Sequence, residues 1–313
     1  MADVKYELRP NGDLELTDYN RAKLCCSFLP GIAGKDAIPS WAFYINRGQC
    51  LAGFGIRDKD GAIQEYVPAD KAGWYTAWRG FRTFIKVQQP GGSFFYEPFR
   101  LTPGNGKVRN RLTIQAASLS INEVHEALGL EVRITYFTLP GAKVGGLCRK
   151  TELINHSASP LNLQVVDGLA VILPSGYTNY LAKHMGATIR AWMRVELVGG
   201  TPYYKLKCRP DDVTELMPIE SGNFYYGYTI AAGQVQTVAY IYDPTVIFGE
   251  GGDFQPINFQ EADFTLPPEQ SRGNNLPSAF GYLRQELPAG ASLALYGIYG
   301  YSPNPQRLAE FLA

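Results

Sequence analysis

Apolar and polar residues alternate with a period of two through most of this chain, the spacing of strands with one buried and one wet face. Leu130, Val132, Ile134 and Tyr136 alternate with Glu131, Arg133 and Thr135, while Phe81, Thr83, Ile85 and Val87 alternate with Arg82 and Lys86. The same reading predicts strands at Leu112–Ala116, Leu147–Ile154, Leu161–Val166, Ile189–Leu197, Tyr203–Cys208, Tyr225–Ile230, Val235–Tyr242, Tyr282–Leu287 and Ser292–Ile298. An aromatic hairpin precedes them: Trp41–Asn46 and Gln49–Ile56 fold back across a tight Arg47-Gly48 turn, with a second turn at Asp58–Gly61. Turn-forming clusters such as Pro90-Gly91-Gly92, Pro103-Gly104-Asn105-Gly106 and Gly199-Gly200 punctuate the series.

So many strands at this spacing predict an all-β fold, a large antiparallel two-sheet sandwich over residues 1–302. One helix is expected, Gln306–Ala313, opened by Pro303-Asn304-Pro305. Its apolar side, Leu308, Phe311 and Leu312, has scarcely begun to repeat, so residues 303–313 read as the first turns of a linker. Phe248–Asn275, rich in Gly, Pro, Asn and Gln, is the expected long loop.

Composition narrows the partners. Hydrophobic residues at 45% and charged ones at 19% belong to an ordered globular chain. The 29 basic and 29 acidic residues cancel, with no long run of either sign, which argues against nucleic acid or an anionic membrane and for a neutral ligand. No apolar run approaches the ~18 residues that span a bilayer, and the opening MADVKYELRP lacks a signal-peptide layout, so a cytoplasmic protein is expected. Cys25, Cys26, Cys50, Cys148 and Cys208 form no CxxC pair and are expected to be buried free thiols.

Candidate chemistry is sparse. The chain has no GxSxG elbow, no HExxH and no phosphate-cradling GxxxxGK[ST]; Gly53 and Gly55 lie within a strand pattern, where close packing or a bulge explains them better than nucleotide binding. No cofactor and no metal site is predicted. His156 reads as an exposed turn residue and His125 as part of a surface charge pair beside Glu123 and Glu126. His184 closes a polar, aromatic crossing that includes Tyr177.

Trp74, Tyr75, Trp78, Arg79 and Arg82 form the strongest cluster. Flat aromatic faces stack on sugar rings and guanidinium forks bond hydroxyls, so this mixture suits carbohydrate; it suits an interface between domains equally well. The candidate carbohydrate-binding or domain-interface residues are therefore Trp74, Trp78, Arg79, Arg82, Tyr177 and His184, and no catalytic residue is assigned.

Three consecutive segments carry a resemblance: Gly129–Phe137, then GLCRKTELIN over Gly146–Asn155, then LNLQVVDGLAVILPSG over Leu161–Gly176. With the hairpin Trp41–Ile56 and LYGIYGY over Leu295–Tyr301, they resemble the amino-terminal domain of the cellobiose phosphorylase group, glycoside hydrolase family 94 and its relatives. The family's usual Gly-Asn-Gly near the start is replaced by Pro30-Gly31-Ile32-Ala33-Gly34. The resemblance implies a galactose mutarotase-like supersandwich that packs on an (α/α)-barrel, supports dimerisation and edges the substrate entrance. It also implies that the catalytic acid and the phosphate site belong to that barrel, with phosphate attacking the anomeric carbon. Two other functions fit such a scaffold: a stand-alone aldose epimerase, which needs a His acid and a Glu base in one cleft, and a carbohydrate-binding module using Trp74 and Trp78.

Overall fold

The computed structural model describes residues 4–29, 31–33, 38–100, 108–209, 214–231 and 233–313. Its ladders between strands are all antiparallel among the described residues, and they form three sheets in two layers. One layer is an 11-stranded sheet that runs from Tyr6–Leu8 through Leu130–Thr138, Gly145–Asn155, Ser292–Ser302 and Gly222–Ala231 to Met193–Val198. The opposing layer is split into two five-stranded sheets. The middle sheet is ordered Ala239–Ile241, Ala279–Leu287, Leu161–Leu169, Phe81–Gln89, Gly92–Tyr96, and the amino-terminal sheet is built on Cys26–Leu29, Ile38–Ile45, Leu51–Ile56 and Ala62–Gln64. The fold is all-β and antiparallel, as the alternation predicts, and it is the supersandwich that the resemblance implies, with one of the two expected layers divided into two sheets.

The inner faces make one core. Leu130, Val132, Ile134 and Tyr136 of the large sheet meet Phe81, Ile85 and Val87 of the middle sheet and Leu51, Phe54 and Ile63 of the amino-terminal sheet. Arg149 sits at its centre, fully buried, and bonds groups from all three sheets. It donates to Asp167 (2.6 and 3.2 Å), Thr83 (3.0 Å), Gln49 in the amino-terminal hairpin turn (2.7 Å) and the Tyr136 hydroxyl. Burial alone would lower the Arg149 pKa, but the charge and hydrogen bond of Asp167 together with Tyr136 and Tyr299 outweigh it, and the net shift is upward. A charge this deep is tolerable only because every partner is present.

Several expectations are corrected. Arg82 and Lys86, placed on the wet face of their strand, are 1% and 0% exposed, because Phe248–Asn275 lies across that face. This segment is no bare loop: it includes the helix Ile257–Gln260, and Phe248, Phe254, Phe259 and Phe264 pack on Phe84 and Phe280. Lys86 donates to the Glu261 carbonyl (2.6 Å) among Phe259 and Phe264, and its pKa is lowered by burial. Cys25 and Cys26 are exposed, since Cys26–Leu29 is an edge strand, whereas Cys50 and Cys148 are buried and Cys208 lies between. Burial pushes the Cys148 thiol up to about 12.

Further corrections concern elements. The Arg47-Gly48 turn extends over residues 46–50, because the buried Asn46 side chain bonds Tyr19, Lys23 and Cys25. Ile189 ends a helical turn and the strand begins at Met193. The expected strand Val235–Tyr242 breaks at Val238 into two pieces that belong to different sheets. The turn expected at Pro103–Gly106, and Pro30 and Gly34, lie outside the described residues. The carboxyl-terminal helix is Pro305–Leu312, capped by the Asn304 side chain accepting from the Arg307 N–H (2.8 Å). Leu308, Phe311 and Leu312 pack on the large sheet's outer face beside Phe224 and Ile298. No helix among the described residues is long and apolar enough to cross a membrane.

Candidate functional site

The aromatic segment forms a second helix, Ala69–Arg79, absent from the alternation-based reading. Helical spacing gives its residues three distinct surroundings. Ala72 and Thr76 face the amino-terminal sheet and are buried. Trp74 and Trp78, one turn apart, stand out at 78% and 37% exposure. Tyr75 and Arg79, also one turn apart, line a recess with Gln64, Glu65 and Val171. Gly80 ends the helix, and a side chain there would meet the Thr76 carbonyl oxygen at 2.6 Å. The chain therefore turns at once into Phe81–Gln89.

A chain of contacts fixes this end of the helix. The Trp78 ring lies 4.5 Å from the Arg100 guanidinium, and Arg100 donates to Glu97 (2.8 Å). Glu97 also accepts two bonds from Arg82 (2.7 and 3.0 Å), and Arg82 donates its remaining arm to the Phe254 carbonyl (2.5 Å). The Phe254 ring in turn lies 5.9 Å from the Arg79 guanidinium, and Tyr75 lies 6.0 Å from it. Arg79 thus sits between two aromatic rings, and it makes no ion pair and no hydrogen bond with a described residue.

The predicted residues separate accordingly. Trp74, Trp78 and Arg79 share the helix rim. Arg82 lies beneath it, fully engaged in a buried pair and closed to any ligand. Tyr177 comes near Arg79 from the 170–178 crossing: burial raises its phenol pKa, the Glu65 carboxylate adds to the rise, and the Arg79 guanidinium opposes it. His184 is elsewhere, exposed at the end of the short helix Asn179–His184 with its ring 4.6 Å from Tyr180.

The other histidines are placed by strand parity. His125 is buried and not at the surface as expected; Ser118–His125 runs its full length as a strand, and Glu123 and His125 both point inward. Tyr96 packs on the His125 ring at 4.9 Å, and Glu123 accepts from the Tyr96 hydroxyl (2.7 Å) and the Phe99 N–H (2.9 Å). Burial raises the Glu123 pKa against those hydrogen bonds. Glu126 pairs at the surface with Arg109 (2.9 Å). His156 is exposed as expected and bonds Glu131 (2.7 Å) on the large sheet's outer face. Among the described residues no group of three or more His, Cys, Asp or Glu is placed to hold a metal ion.

Sequence reasoning did not find Phe254, Glu97 or Arg100. Each acts at this rim through a contact with a residue distant in sequence, and no local pattern announces it.

No family model matches the sequence, and no curated protein matches it. Solved structures with a similar course include a galactose mutarotase-like protein from Clostridium acetobutylicum, at 10% identity and a TM-score of 0.41 over 96% of this chain and 98% of that one. A polysaccharide lyase is also similar, at 14% identity and a TM-score of 0.41 over 85% of this chain. The chain spans about a third of the lyase, 33% of its length. Likeness at this level assigns no activity.

Proposed function

We propose that this chain is a carbohydrate-contacting supersandwich, the non-catalytic amino-terminal part of a glycoside phosphorylase-like protein, and that it meets sugar along the helix Ala69–Arg79. One observation carries the reading. Two tryptophans and a tyrosine–arginine pair occupy adjacent exposed sides of one helix, and the arginine lies near two aromatic rings without a hydrogen bond or ion pair to a described residue. Exposed rings offer stacking faces, and an unpaired guanidinium offers several N–H donors to hydroxyl oxygens. In this reading the chain acts in the cytoplasm, its protein partner is a helical catalytic domain, and the parent protein is a homodimer.

The test is calorimetric titration of the chain with cello- and laminari-oligosaccharides. Binding that weakens in Trp74→Ala and Trp78→Ala is expected; unchanged affinity in both removes them from the site. Incubation with the same sugars and inorganic phosphate is expected to release no sugar phosphate, and release would overturn the non-catalytic assignment.

A further inference from the structure

Beside the helix rim lie two recesses that share Val171 as a wall. The larger, about 300 Å³, is lined by Arg190, Glu250, Phe254 and Asn275 together with Gly249 to Gly252. The smaller, about 20 Å³, lies at Arg79 and Glu65 and has room for about one water. Two polar atoms at its lining residues, Gln64 Oε1 and Thr76 Oγ1, are buried without a hydrogen-bond partner among the described residues, on side chains 5% and 2% exposed. Native proteins rarely leave such atoms unsatisfied, and their placement at a recess of this size points to a water there.

Each recess carries one arginine and one glutamate, Arg79 with Glu65 and Arg190 with Glu250. None of the four makes an ion pair with a described residue, and the only hydrogen bond among them runs from Arg190 to Asn275 Oδ1 (3.1 Å). Opposite charges at one wall that do not meet leave a donor set and an acceptor set facing the same space. A vicinal diol answers both, since each hydroxyl donates and accepts. The formal charges cancel within each recess, which disfavours a ligand with net charge. Tyr75 and Phe254 supply flat apolar walls.

The Phe254 wall of the larger recess is fixed in advance. Phe254 adopts φ +55°, a left-handed conformation unfavourable for a bulky residue, and Gly249 adopts +65° where the segment leaves its helix. The Phe254 carbonyl is gripped by Arg82, which Glu97 holds in turn. Arg82 is therefore a positioning residue for a ring it does not touch through the solvent side.

From these observations we infer that the larger recess, lined by Arg190, Glu250 and Phe254 and lying beside Arg79, is a pocket for one neutral, hydroxyl-rich sugar ring, separate from the Trp74–Trp78 platform. The volume, at the lower end for ligand pockets, suits a single ring. The inference rests on the carbohydrate reading above and names the sugar class and the residues that grip it.

The experiment is calorimetric titration of the full chain with D-glucose, cellotriose and D-glucuronate, alongside Arg190→Gln, Glu250→Gln and Phe254→Ala. Arg190 and Glu250 are exposed, so melting temperatures unchanged in their variants will separate lost binding from lost folding. The neutral sugars are expected to bind, and each variant to weaken them about tenfold or more. Tighter binding of glucuronate overturns the neutral-sugar assignment. Cellotriose affinity that survives Arg190→Gln and Phe254→Ala but falls in Trp78→Ala overturns the pocket while leaving the carbohydrate reading in place. No binding of any of the three sugars overturns both.

Discussion

Arg79 and Arg82 stand three positions apart and are indistinguishable in composition, yet the structure gives them opposite surroundings. Arg82 is 1% exposed, with a carboxylate on one side, a carbonyl on the other and Phe84 4.6 Å from its guanidinium. Arg79 is half-buried between two rings and has no polar partner among the described residues. The difference arises where helix gives way to strand at Gly80, which sends one side chain to the rim and the other beneath Phe248–Asn275. A guanidinium bonded through all three of its nitrogens holds the fold together; one that bonds no described residue is available to a ligand.

The sharpest break of this contrast is Arg82→Met. It removes one cation from a buried pair and is expected to cost about 3 kcal/mol in denaturant unfolding, with Arg100 left to hold Glu97. A cost near zero would mean that the pair carries no stability. An intermediate case is Glu131, where burial opposes ionisation but His156, Arg133 and Asn122 outweigh it and hold its pKa below 4.5. Its contribution is present above the unfolded pKa and is lost as pH falls through the lower folded value. His156→Ala should therefore flatten the acid limb of the stability profile by about 1 kcal/mol, and an unaltered acid limb would discount the pair.

Smaller effects separate rim from base. Trp78→Ala removes the ring from Arg100 and is expected to cost about 0.5–1 kcal/mol by thermal unfolding. Arg79→Gln should stay within about 0.5 kcal/mol of the parent chain while losing sugar affinity. A large stability loss there would erase the contrast with Arg82.

Strands were legible wherever alternation met an open face: Leu130–Thr138 and Gly145–Asn155 coincide closely with the expected segments. The helix Ala69–Arg79 was not legible, because its buried side is Ala72 and Thr76, while its large apolar residues face outward. Arg82 and Lys86 correctly marked one face of a strand, but nothing local says that a segment some 170 residues later covers it, as the Arg82–Phe254 bond spans 172 positions. The aromatic and basic residues of the rim were visible in the sequence as a cluster. Which of them remain available depended on Glu97, Phe254 and Glu261, whose roles exist only in three dimensions.

The arginine at the centre of the core sets an order of assembly. Arg149 bonds Gln49, which lies 100 positions away, Thr83, 66 positions away, and Asp167, 18 positions away. Until the amino-terminal hairpin and both layers have met, that guanidinium keeps its hydration, since no partial set of partners replaces the water it would lose. Closing the centre is thus a late event that depends on distant segments, of the kind that slows folding. Synthesis delivers Gln49 and Thr83 long before Asp167, so the first third of the chain must wait for its lock.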